Sequence, residues 1–420
     1  MDLIEIPKSW KIKKLKYIFN FGKGLPITKE NLKNDGIPVI NYGQIHSKDN
    51  KIASTNRSLF RYVDEMYLDC KDNLVNKNDF IFADTSEDLE GCGNNTYVDQ
   101  DIKLFAGYHT IILKNKDMKD NRYLAYLFNT DFWRAQIRKK VSGIKVFSIT
   151  QKILKETKVI LPPDNKQEKI ADLLDKKCNK IDKLKTDIEK QIAILGDYKK
   201  SLITETVTKG LNPDAEMKDS GIEWIGEIPK HWNCIKGKYI LEYLQKNIKK
   251  NDKVITCFRD GEVTLRLNRR EDGFTISTKE IGYQGIDIGD LVVHGMDGFA
   301  GAIGISNARG KGSPVLNVLD SKENKRYIMY YLRSMAYSNI FMALSMGIRV
   351  RSCDLSWSKL ANMKYPVPPK KEQDNIADFL DDKCTKIDEI IELKRKQIAK
   401  IDEYKKSLIY EYVTGKKEVY

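Results

Sequence analysis

The side chains best placed to do chemistry are cations set among glycines. GIKVFS (143–148) and GIRVRS (347–352) carry Lys145 and Arg349 at equivalent places, with Arg351 two residues further on. Between 259 and 312 stand Arg259, Arg266, Arg269, Arg270, Arg309 and Lys311, again interleaved with glycine. An arginine in such a turn can grip a phosphate or pair in bidentate fashion with guanine; its plainer role is that of a solvated loop charge. Lys23, Tyr42 and Gln44 are the polar and aromatic candidates nearer the N-terminal end. Lys145 and Arg349 lie in regions that otherwise differ. A shared cation there suits a shared task, holding a nucleic-acid backbone, unless both are structural loop charges.

Covalent chemistry is not signalled. The double prolines read LPPD (161–164) and VPPK (367–370). They lack the polar residue and the aromatic of the (N/D)PP(Y/F) motif that grips a flipped adenine. GKG (310–312) has Ile305 where the first glycine of a phosphate loop belongs. The glycines of GFAGAIG (298–304) suit turns or tight packing better than dinucleotide binding. PDNKQEK (163–169) is too short for a PD…ExK nuclease motif, and its second copy has Lys370 in place of the aspartate. His46, His109, His231 and His294 are far apart, with no Cys or carboxylate at ligand spacing, so no metal site is expected.

What must position these residues follows from size, charge and repetition. A chain of 420 residues is enough for two domains plus connectors. At 41% hydrophobic it should fold. Lys and Arg number 73 against 59 Asp and Glu, a formal charge of +14. Such a surplus suggests a polyanionic partner, nucleic acid or an acidic membrane, unless it reflects a lysine-rich composition throughout the source. MDLIEIPKSWKIKK lacks the apolar centre of a signal peptide, and no segment approaches ~18 consecutive apolar residues, so a membrane span is not expected. Seven scattered cysteines without a CxxC pair read as reduced thiols of a cytoplasmic protein.

The segment from Pro162 to Thr208 matches the segment from Pro368 to Thr414 at a constant offset of 206, with 26 of 47 positions identical. The duplication is wider than that segment. IPKSWKIKKLKYI (6–18) resembles IPKHWNCIKGKYI (228–240) at an offset of 222, and Tyr123 and Tyr126 pair with Tyr327 and Tyr330 at 204. The fall from 222 to 204 gives the first domain 18 extra residues in its middle. The middles themselves show no convincing similarity. The organisation is domain–helix–domain–helix: two equivalent frames that present different surfaces.

The repeated segment reads as a helix. Leu174, Ile181, Ile188, Leu195 and Leu202 recur every seven residues, the apolar seam of a coiled coil, with Ile170, Leu184 and Tyr198 on the neighbouring stripe. The second copy has Leu380, Ile387, Ile401 and Leu408, with Ile376, Ile390 and Tyr404. Lys394 interrupts this second seam, and Ile391 or Ile398 can compensate. At 1.5 Å per residue each rod should reach roughly 65 Å. The simplest partner for each wet seam is the other copy, antiparallel, with a domain near each end; the alternative is two helices each packed on its own domain. GIPVINYGQI (36–45), YHTIILK (108–114), EVTLRL (262–267) and DLVVHGM (290–296) read as strands. RYLAYLFNTDFWRAQIRKK (122–140) and its counterpart from Tyr327 to about Met346 read as one helix each.

At this point the residues resemble a known family. The domain–helix–domain–helix order, MKDSGIEWIGEIPKHW (217–232), PPKKEQ (368–373), the twice-used YKKSLI, and the stretch 263–315 are together similar to the specificity subunit of type I restriction-modification systems. The similarity covers essentially the whole chain. One departure is Lys166, where the family has the glutamate seen at Glu372; a contact at the start of the first helix is thereby in doubt.

The resemblance implies an α+β fold. Two mixed α/β target-recognition domains (1–158 and 228–364) are separated by long spacer helices (159–210 and 365–420) that form an antiparallel coiled coil with a pseudo-two-fold repeat, and 211–227 is a linker. It implies that each recognition domain binds one half of a bipartite, asymmetric double-stranded DNA target. The helices then set the gap and dock two methyltransferase subunits, and a motor-nuclease restriction subunit joins them. S-adenosylmethionine, Mg and ATP would be used by those partners, leaving this chain without a cofactor or a catalytic site. Two other readings remain at this level: a coiled-coil adaptor whose domains bind proteins, and a stand-alone restriction-methylase, which the missing methylase motif disfavours.

Overall fold

A computed structural model describes residues 6–117, 119–143, 145–269, 280–344 and 355–419. Arg270, Arg349 and Arg351 therefore lie outside the described residues. The chain forms two compact units, one made of 1–188 with 396–420, the other of 189–395.

The frames match strand for strand. In the first unit Lys11–Lys14 pairs antiparallel with Lys158–Leu161, and in the second Asn233–Lys236 pairs with Lys364–Val367. Each unit then has a four-stranded antiparallel sheet of one order. It runs Phe19–Lys23, Thr110–Asn115, Phe80–Ala83, Asn95–Tyr97 in the first and Leu241–Tyr243, Leu316–Ser321, Leu291–His294, Ile303–Ile305 in the second. Central strands such as FIFA and LVVH are apolar on both faces because helices cover one side and the variable middle covers the other.

The middles are built differently. The first is a second four-stranded sheet, Arg61–Val63, Ile37–Ile40, Leu104–Ala106, Leu74–Val75, with one parallel pair. The second consists of two short ladders, Ile255–Cys257 with Val263–Leu265 and Gln284–Ile286 with Gly310–Gly312. Three local expectations change. The strand expected over 36–45 ends at Ile40, and Tyr42–Ile45 turns into a short helix whose capping box joins Asn41 and Gln44. The helix expected over 122–140 is two, Arg122–Phe128 and Asp131–Arg138, because the Thr130 hydroxyl accepts from Trp133 N at 3.2 Å and starts a new helix. Its counterpart divides into Lys325–Tyr337 and Ile340–Ala343, with Asn339 in the left-handed region at φ 56°.

The repeated segments are continuous helices, Asp164–Lys209 and Lys370–Val413. Both stop at glycines with positive φ, Gly210 (76°) and Gly415 (75°), which only glycine adopts without strain. Each unit contains an antiparallel crossing of the two. Lys185 meets Asp402 at 2.8 Å in the first, and Lys199 meets Asp388 at 2.6 Å in the second. The heptad row from Leu174 to Leu202 faces inward as read from the sequence, and Ile170 of the neighbouring row is buried, but the rest of that row is corrected. Cys178, Lys185, Ile192 and Lys199 complete the seam, whereas Leu184 (49% exposed) and Tyr198 (55% exposed) point to solvent. The row therefore follows the i+4 rather than the i+3 neighbour, and the two lysines are tolerated because each reaches an aspartate across the pair. In the second helix Ile391 and Ile398 take seam positions, and Lys394 reaches Gln191 at 2.6 Å.

Each core is closed by the last turns of the helix that follows the other domain. Leu408, Ile409, Tyr412 and Val413 join Trp10, Phe80, Phe128 and Trp133 in the first unit. Ile203 and Val207 join Trp232, Tyr327 and Tyr365 in the second. Each such buried aliphatic side chain is worth about 1.5–3 kcal/mol.

Candidate nucleic-acid interface

The tyrosine pairs that the repeat singled out are what seat each domain on the helices. The buried Tyr123 hydroxyl donates toward the carbonyls of Ile160 and Val413, both at 2.9 Å; Tyr327 does the same toward Pro366 (2.9 Å) and Val207 (3.1 Å). Val413 and Val207 lie in final helical turns, where carbonyls lack intrahelical partners. One tyrosine thus ties a domain's last strand to the end of the other half's helix. Burial pushes both phenols well above their ordinary range, so they remain donors. Trp10 and Trp232 close on these rings edge-on, each at 6.4 Å between centroids.

One turn away, Tyr126 donates to Asp175 at 2.6 Å while Arg122 pairs with Asp172 at 2.9 Å and also holds Asp175. In the second unit Tyr330 donates to Asp381 at 2.7 Å, and Arg326 pairs with Asp381 (2.6 Å) and Asp378 (2.7 Å). Desolvation alone would lower both guanidinium groups, but the carboxylates around them outweigh it and raise them. These ion pairs fix a domain's helix to its own spacer helix.

Above that frame the surfaces of the two units diverge. In the first unit a cleft of about 680 Å³ is lined by Tyr42, His46, Thr85, Glu87, Asp88, Glu90, Asn94, His109 and Val146, among others. Its floor is a hydrogen-bond chain. Arg134 donates to Asn94 Oδ1 at 2.6 Å, Asn94 Nδ2 meets His46 Nδ1 at 3.0 Å, and His46 Nε2 meets the Thr85 carbonyl at 2.8 Å. In this chain His46 Nδ1 faces a donor and Nε2 an acceptor. Burial among neutral acceptors pushes Arg134 down to about 10. Tyr42 packs edge-on against Tyr108, His109 and His46. His109 is held at φ 55°, uncommon for a residue with a Cβ. Its Nδ1 lies 3.4 Å from Asp84 Oδ1, an enclosed oxygen that gains no well-aligned hydrogen bond from it. Burial raises the Asp84 carboxyl against the opposing pull of His109.

The candidate cations are placed as follows. Lys145 is exposed on the loop held over the cleft by pairing of Phe147–Ser148 with Thr85–Ser86, and Val146 of that loop lines the cleft. Lys23 is exposed at a strand end, with its carbonyl accepting from Asn73. The Gln44 side chain accepts from Asn41 N at 3.2 Å and serves the short helix. In the second domain Arg259 pairs with Asp297 at 2.9 Å, and Arg266 Nε donates to Thr256 at 3.1 Å. Arg269 pairs with Asp260 (2.7 Å) and Glu262 (2.9 Å) over the ring of Phe258. Arg309 holds Asp252 (2.8 Å) and Asp287, which stands lowered to about 2 by Lys246 and Arg309; Lys311 pairs with Glu280 at 2.7 Å. Arg309 and Lys311 therefore brace loops, whereas Arg259 lies in the turn between strands Ile255–Cys257 and Val263–Leu265, and Arg266 and Arg269 lie in the helical turn that follows.

Comparison with known proteins decides the family. The Type I restriction modification DNA specificity domain matches residues 7–193 and 275–403. The chain belongs to that family. It is 25% identical over 429 residues to the MjaX type I restriction enzyme specificity subunit of Methanocaldococcus jannaschii, covering 99% of this chain and 95% of the relative. It is 27% identical over 322 residues to the MjaVIII specificity subunit of the same organism, covering 72% and 71%. A chain from a solved type I restriction-modification assembly shares its fold, with a TM-score of 0.69 at 13% identity over 98% of this chain and 99% of that one.

Within this specificity-family chain, the sequence named Tyr42, which lines the cleft, and Lys145, on the loop over it, but did not bring together the rest of the cleft. Nothing local joins His46, Glu87, His109 and Arg134; strand order alone brings them together. The tyrosine pairs were a visible signal, and the structure supplies their task. Among the described residues no three His, Cys, Asp or Glu converge as metal ligands, and no helix is long and apolar enough to cross a membrane.

Proposed function

We propose that each domain reads one half of a split, non-palindromic DNA sequence, and that the paired helices set the gap between halves. The observation that carries this reading is one frame built twice around unlike reading surfaces. Lys145, with Arg349 at the equivalent place in the sequence, holds phosphates, and the hairpin segment bearing Arg259, Arg266 and Arg269 reads the second half-site.

Two methyltransferase subunits dock along the helices. The outward-facing pairs Leu184 with Tyr404 in one unit, and Tyr198 with Ile390 in the other, are exposed apolar positions related by the 206-residue repeat. Equivalent patches suit two copies of one partner. The chain itself is non-catalytic and works in the cytoplasm. S-adenosylmethionine, Mg and ATP serve the methyltransferase and motor-nuclease partners.

Methylome mapping in a host carrying this chain with its methyltransferase tests the reading. A seven-residue helical insertion after Leu184, matched by one after Ile390, should lengthen the unspecified gap and leave both half-sites unchanged. A methylated motif that keeps its gap would refute the ruler.

A further inference from the structure

The net positive chain has one feature that phosphate binding does not explain: the cleft of the first domain is walled by carboxylates. Glu87, Asp88 and Glu90 line it, and Asp84 stands behind His109. A phosphate there would meet several like charges, each repelling by about 1 kcal/mol even in water at 4 Å. The cleft nevertheless lies under the loop that carries Lys145, so the nearby backbone grip and the acidic pocket have opposite signs. Not all of the carboxylates are free. Asp88 Oδ1 accepts from Gly91 N at 2.6 Å and holds the turn. Glu87, by contrast, is exposed at the cleft and makes no hydrogen bond or ion pair with the described residues.

The walls are rigid. Tyr42, Tyr108 and His109 pack edge-on, and the floor is tied through His46 and Asn94 to the half-buried Arg134. An acceptor and flat rings that line one cleft suit pairing with an amino group of a base edge. In the major groove a carboxylate accepts from the N4 amino group of cytosine and is matched by neither guanine O6 nor thymine O4.

We infer that this cleft is the base-reading pocket of the first half-site, with Glu87 accepting from the N4 amino group of a cytosine and Tyr42 bounding the base edge. The inference rests on the DNA-reading function proposed above and adds the base chemistry of one half-site.

The test uses the full chain in complex with its methyltransferase, at fixed salt. Glu87→Gln is assayed by methylome mapping and by competition between duplexes substituted at each target position. Glu87 is exposed and unpaired, so its variant should fold. Wild type should discriminate a cytosine in one half-site. Glu87→Gln should lose about tenfold of that preference at the one position and begin to accept adenine, which an amide can bind. The other half-site and the gap should not change.

Three outcomes overturn the pocket: an unchanged motif in Glu87→Gln, an equal weakening on every duplex, or Mn²⁺ binding by the DNA-free complex that Glu87→Gln abolishes. If instead the wild-type complex prefers no sequence at all, the DNA-reading function fails, which is a separate result.

Discussion

The two units solve one mechanical problem identically and one chemical problem differently. Tyr123 and Tyr327, Tyr126 and Tyr330, Arg122 and Arg326 make the same bonds to the same carbonyls and aspartates. Above them, an acidic, aromatic-walled cleft in the first domain has as its counterpart an arginine loop in the second. The difference teaches where variation is cheap. A buried hydroxyl or ion pair cannot lose a partner without leaving an unsatisfied group, which costs 1–3 kcal/mol or more. An exposed loop charge can be exchanged for almost nothing, and its identity is free to follow the DNA. One clamp position does differ: His231 meets Glu372 at 2.8 Å, while Ser9 and Lys166 stand at the equivalent places in the first unit. This is the helix-start contact that Lys166 put in doubt.

The equivalence of the clamps is the sharpest part of the comparison to break. Asp175→Ala should cost about 2–3 kcal/mol, because it leaves the Tyr126 hydroxyl without its acceptor and takes one of three carboxylates from Arg122. Asp381→Ala should cost about 1–2 kcal/mol, since Arg326 is 40% exposed against 26% for Arg122 and water screens the loss. Denaturant unfolding of the two variants decides the order; a larger loss for Asp381→Ala would mean that the clamps are not one device.

A smaller effect tests the difference between the readers. Arg269→Ala should relax the second half-site by about 1–3 kcal/mol of discrimination and leave the bases of the first half untouched. Mapped methylation motifs that changed in both halves would undo the division of labour. Smallest is the shared cation. Lys145→Ala should weaken binding evenly across sequences and lower the magnitude of the salt slope by about one, and Arg349→Ala should match it. A changed base preference with an unchanged slope would place Lys145 among the readers instead.

Much of this was legible before any coordinates. The 206-residue repeat, the seven-residue spacing from Leu174 to Leu202 and the paired tyrosines follow from identity and period, which need no knowledge of the fold. The neighbouring seam row was less so. Leu184 and Lys185 differ by 100° around the helix, and apolarity favoured the wrong one; only the aspartate across the pair explains why a lysine sits inside. The candidate cations were half-legible. An arginine's type is visible, but whether it braces a loop, as Arg309 does, or borders a surface, as Arg259 does, depends on carboxylates 38 to 57 positions away.

By itself, then, the sequence determined the family, the two-fold plan and the helices, because each is written in local period or in repetition. The tertiary structure decided which helix end closes which core and which residues share a cleft. Val413 meets Tyr123 across 290 positions, and His46, Thr85 and Asn94 meet through strand pairing. Such contacts are selected by the burial and hydrogen-bond satisfaction of the whole unit, and no local window of residues contains that information.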